Sequence, residues 1–68
     1  MIDTNALRGI IAQNGKSQRE VAKELGISDK TFYEKMKNGV FNSNEMMSMI
    51  ELLSIKDPVA IFFTKDVT

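Results

Sequence analysis

The stretch from Lys16 to Gly39, KSQREVAKELGISDKTFYEKMKNG, decides the fold, because it reads as two short helices joined by a tight turn. Ser17 is a good N-cap, since its hydroxyl can accept from the free amides of a first helical turn. Glu20, three residues later, completes a reciprocal capping box. A helix is therefore expected from Gln18. Val21, Ala22 and Leu25 fall on one apolar stripe, with Arg19, Lys23 and Glu24 on the other face. Gly26, directly after the last apolar residue, can take the left-handed conformation that closes a helix without a Cβ clash. Ile27 follows as an apolar plug and Ser28 as a second N-cap. The next helix, Asp29 to about Lys37, is expected to bury Phe32 and Met36 and to turn Asp29, Lys30, Tyr33, Glu34 and Lys37 outward. Asn38-Gly39 ends it with a turn signal.

A turn of about three residues forces two helices to cross steeply, and the small Ala22 lets the second approach the first closely. The second helix would then protrude. Its amino-terminal end suits a major groove about 12 Å wide, while the first helix lies across the sugar-phosphate backbone. This is the helix-turn-helix arrangement. Ser17-Gln18, Val21-Ala22, Leu25-Gly26-Ile27-Ser28, Thr31-Phe32 and Asn38-Gly39 are followed by an apolar helix, by Ile55-Lys56-Asp57-Pro58 and by Ile61-Phe62-Phe63. In that order and spacing the chain resembles the Cro and repressor amino-terminal family of phage regulators, the group often called XRE-like. The resemblance spans nearly the whole chain. It implies an all-α, compact five-helix bundle, the lambda-repressor-like DNA-binding domain, as a single domain over residues 1–68 with its motif at about 17–37. Helix-turn-helix units also serve as protein-binding scaffolds, so the fold does not by itself fix the function.

Composition narrows the function classes. A chain of 68 residues is near the size where one core gives only a few kcal/mol of net stability, and a bundle is the economical solution. There is no cysteine and no histidine, so thiolate metal sites, disulfides and the commonest general base are absent. With no carboxylate pair or Gly-rich phosphate loop either, an enzyme is not expected, nor is a metal or other cofactor. No apolar run reaches the length of about 18 that spans a bilayer, and no signal-peptide pattern opens the chain, so a soluble cytoplasmic protein without a membrane role is expected.

Charge is the feature that argues against DNA. Nine basic residues balance nine acidic ones, and the pI is about 6.2. Distribution softens the objection: Lys16–Gly39 holds six basic and four acidic residues, whereas Val40 onward holds two basic and four acidic. The motif is thus the positive end of a mildly polarised molecule, and weak non-specific binding with a shallow salt dependence is expected.

Outside the motif, Thr4 can cap a helix from Asn5 to about Asn14 with Leu7, Ile10 and Ile11 on one face. Asn42-Ser43-Asn44 is a cluster of cap formers ahead of a helix whose Met46, Met49, Ile50 and Leu53 should point inward, with Met47 and Leu52 off that line. Asp57-Pro58 is a strong helix start, so a short helix is expected over about Pro58 to Phe63. Residues 64–68 lack a periodic pattern and read as a loose tail.

The family resemblance implies base contacts from Asp29, Lys30 and Glu34, with Tyr33 near a thymine methyl or a phosphate. It implies phosphate contacts from Gln18 and Ser28, and Thr31, Lys35, Lys37 and Asn38 are the further phosphate candidates. Lysine can donate to guanine O6 and N7, whereas Asp and Glu can accept only from the cytosine amino group. Plainer readings stay open. Asp29 can simply favour the helix amino terminus, Glu34 can pair with Lys30 or Lys37, Gln18 can be a solvated polar residue, and Thr31 can be half-buried against the first motif helix. One departure from the family affects Lys35 and Lys37. Many members carry an apolar residue three positions after the one matching Phe32, where this chain has Lys35 and places the apolar Met36 next.

Phe62 and Phe63 are adjacent and cannot both face one way, so one should plug the core. The other, with Ile61, Met47 or Leu52, would form an apolar patch for a homodimer partner. The expectation is a regulator of the phage or prophage repressor type that binds a palindromic double-stranded DNA operator as a homodimer, with no small-molecule ligand. The alternative is a protein-binding module on the same fold, an antirepressor or modulator with a protein partner.

Overall fold

The computed structural model describes residues 2–63, and the expected tail at 64–68 lies outside them. Five helices follow one another among the described residues: α1 (Thr4–Gln13), α2 (Gln18–Leu25), α3 (Asp29–Asn38), α4 (Ser43–Leu52) and α5 (Pro58–Phe62). None is long and apolar enough to cross a membrane. The architecture is all-α among the described residues. α2 packs most extensively on α3 and also meets α4, while α1 packs on α2 and α5.

The expected apolar stripes form the core. Leu7, Val21, Ala22 and Met49 are wholly buried, with Ile11, Phe32, Met36 and Leu53 nearly so. The Phe32 and Phe41 rings pack with centroids 5.6 Å apart and planes tilted by 55°, which joins α3 to the segment leading into α4. On α4 the inward line is narrower than expected: Met49 and Leu53 are buried, and Met46 and Ile50 are only half-buried.

The first helix starts one residue earlier than expected. Asp3, not Thr4, is its N-cap, with Oδ1 accepting from the Ala6 amide at 3.0 Å. The Asp3 amide donates to the Ile61 carbonyl at 2.8 Å, so the chain is already pinned to α5 at this residue. Ser17 and Glu20 form the expected capping box on α2, and Asn42 and Glu45 form a second one on α4.

The four longer helices end alike. Backbone amides of Lys16, Ile27, Val40 and Ile55 each donate to the carbonyl five residues earlier, at 3.0–3.2 Å, the six-to-one closure of a Schellman turn. The left-handed residue is a glycine in three of these turns, including Gly26 at φ 74° and Gly39 at φ 69°. In the fourth it is Ser54, at φ 51°. That conformation costs a residue with a Cβ about 1 kcal/mol.

The last helix corrects part of the expected dimer surface. Ile61 and Phe62 are both buried, since α5 lies against α1 and needs two adjacent apolar side chains to close that end of the core. Phe63 instead caps α5 and is 61% exposed. Leu52 is half-buried and Met47 exposed.

Candidate nucleic-acid interface

Gly26, Ile27 and Ser28 alone separate α2 from α3. Gly26 reverses the chain in the left-handed region, and half-buried Ile27 enters the core edge. Ser28 then starts α3 by accepting from the Thr31 amide at 3.1 Å. Its own proton goes to Thr31 Oγ1, 2.8 Å away. The Ser28 hydroxyl, expected to donate to phosphate, is therefore spent within the helix start. Thr31 is exposed rather than half-buried, and its own hydroxyl proton is the one this pair can present outward.

Arg19 and Asp29 tie the two helices together on the outside. Arg19 Nε lies 3.2 Å from Asp29 Oδ2, with side chains 84% and 60% exposed. Such an exposed pair contributes at most about 1 kcal/mol. Its main effect is positional. Gln18, Arg19, Asp29 and Tyr33 border one shallow depression with Phe32 in its wall. The expected Gln18, Asp29 and Tyr33 are thus gathered in one place, and Arg19 joins them. Arg19 was missed because the pair crosses the turn, where helical spacing rules do not reach.

Along α3, Lys30, Tyr33, Glu34, Lys37 and Asn38 are all exposed on the outer side. Glu34 pairs with neither Lys30 nor Lys37 among the described residues. Lys35 departs from its expected phosphate role. Its Nζ donates to Glu45 Oε1 at 3.0 Å, its side chain is only 28% exposed, and Glu45 is buried. The same Oε1 accepts from the Asn42 amide at 2.9 Å, so one carboxylate both caps α4 and holds α3. With Lys35 neutralised from outside Lys16–Gly39, that segment's surplus of two positive charges falls to one.

The arrangement presents the amino-terminal turn of α3, its exposed lysines and an exposed tyrosine on one side of the molecule. Hydrogen-bond donors there (Lys30, Lys37, Arg19) stand beside acceptors (Asp29, Glu34), a mixed surface able to read donor and acceptor patterns. Comparison of the chain with known protein families, with curated proteins and with solved structures finds no match.

Proposed function

We propose that this protein is a sequence-specific DNA-binding transcriptional regulator of the phage Cro and repressor type. The observation that carries the reading is the α2–α3 unit: two capped helices on a three-residue connection, with Lys30, Tyr33 and Glu34 exposed on the outer side of the second. In this reading the unit is a helix-turn-helix. α3 enters the major groove, Lys30 donates to guanine, and Glu34 accepts from cytosine. Arg19, Gln18, Lys37 and Asn38 meet phosphates, and the Thr31 hydroxyl takes the donor role expected of Ser28. Asp29 holds Arg19 and favours the start of α3 through the helix dipole.

A homodimer would place two such helices about 34 Å apart on a palindromic operator. Val59 and Phe63, exposed one turn apart on the outer side of α5, are the apolar residues for that contact, with Met47 secondary. Repression would follow from occupying the site polymerase needs. Titration against duplexes carrying candidate operators and against scrambled duplexes tests the reading.

A second reading is favoured by charge. Zero net charge, with a single surplus cation left on the α2–α3 segment, also fits a protein-binding module that docks on another regulator. Such binding would persist as salt rises, whereas phosphate-driven binding would weaken.

A further inference from the structure

The chain contains two Asn-Gly pairs, Asn14-Gly15 and Asn38-Gly39, and each closes a helix. Asparagine followed by glycine is the sequence most prone to spontaneous amide loss, because glycine leaves its own nitrogen unshielded. The two sites share that local chemistry and differ in what holds the asparagine.

The Asn14 side chain is locked. Its Nδ2 donates to the Ile10 carbonyl at 2.8 Å and to the Leu53 carbonyl at 3.1 Å, the second bond tying the end of α1 to the end of α4. Attack on its Cγ requires breaking a tertiary contact. Asn38 is exposed, and its side chain has no hydrogen bond among the described residues. Only backbone bonds restrain that site, the Gly39 amide donating to the Lys35 carbonyl at 2.8 Å in the last turn of α3. Helix ends fray at low free-energy cost, and fraying frees that amide.

We propose that Asn38 is a site of spontaneous deamidation in the folded protein and that Asn14 is protected by its two carbonyl partners. In the reaction the Gly39 nitrogen gives its proton to hydroxide and bonds to Asn38 Cγ. The Cγ–Nδ2 bond breaks and ammonia leaves with a proton from water, which closes a succinimide. Water then opens the ring at either carbonyl to give aspartate or isoaspartate. No oxidant or reductant is needed. The product puts a negative charge at the C-terminus of α3, against the helix dipole and beside Lys37. If the DNA reading above holds, a phosphate-facing amide becomes a repelling carboxylate, and the protein loses affinity with age; the modification itself does not depend on that reading.

The test is peptide mass spectrometry on full-length protein held folded at mildly alkaline pH, with a parallel sample in denaturant. Amide loss at Asn38 at least about fivefold faster than at Asn14, the ratio one net hydrogen bond supports, with the ratio collapsing toward unity in denaturant, is the expected result. Equal or faster loss at Asn14 in the folded protein, or a ratio unchanged by denaturant, overturns the proposal.

Discussion

Lys35 Nζ and Glu45 Oε1 lie 3.0 Å apart, and this pair joins the third turn of α3 to the first turn of α4. The lysine stem can cover apolar surface while its ammonium reaches the carboxylate. Glu45 also caps α4, so removing its side chain breaks two attachments at once, to Lys35 Nζ and to the Asn42 amide. Glu45→Ala should lower unfolding stability by about 1–2 kcal/mol, read from urea melts, the loss being limited because Lys35 keeps partial contact with water.

Releasing Lys35 should also change binding. Glu45→Gln keeps the shape but removes the charge that neutralises the ammonium, and the proposed DNA complex then gains one cation. The slope of log affinity against log salt should steepen by about 0.9. An unchanged slope would show that Lys35 faces away from the duplex.

Arg19 and Asp29 are exposed partners, so Arg19→Ala should change stability by no more than about 1 kcal/mol. Its effect should fall on binding, with similar losses on specific and random duplexes, as for a phosphate contact. A loss confined to one base pair would instead make Arg19 a reader of sequence.

Lys30→Ala should cost about 1–3 kcal/mol of affinity at one preferred base pair and relax discrimination there. Equal losses on operator and random DNA would reassign Lys30 to phosphate.

Ser54 sits where the other three Schellman turns hold glycine, so Ser54→Gly should stabilise the fold by about 1 kcal/mol. The matching rise in Tm is about 4–8 °C for a domain of this size. Gly26→Ala should do the reverse. An added Cβ there meets no atom within 4 Å, so its cost comes from the backbone at φ 74° alone.

The helices were legible because their punctuation is local. Ser17 with Glu20, Gly26, Ser28 and Asp57-Pro58 each act within one turn, and the structure uses all of them. Asp3 and Thr4 are adjacent cap formers, and local pattern does not rank them; Asp3 takes the role through its Oδ1 bond to the Ala6 amide, with its own backbone held by Ile61. The pairs that shape the candidate site are likewise tertiary. Arg19–Asp29 and Lys35–Glu45 each span ten positions across a turn, beyond the three- and four-residue spacing that a helix face makes visible. The Asn42–Glu45 capping box was within reach of the sequence, and recognising it would have pointed to Glu45. Which of Ile61, Phe62 and Phe63 stays outside was set by how α5 lies on α1, which no local pattern encodes.

In the proposed function the α2–α3 face binds double-stranded DNA by sequence. The most direct measurement is a titration of the protein against duplexes from the region flanking its own gene and against scrambled duplexes, at low and moderate salt. Tighter binding to a symmetric site, weakening as salt rises, is the predicted result; equal binding to both duplexes, or none at low salt, would contradict it.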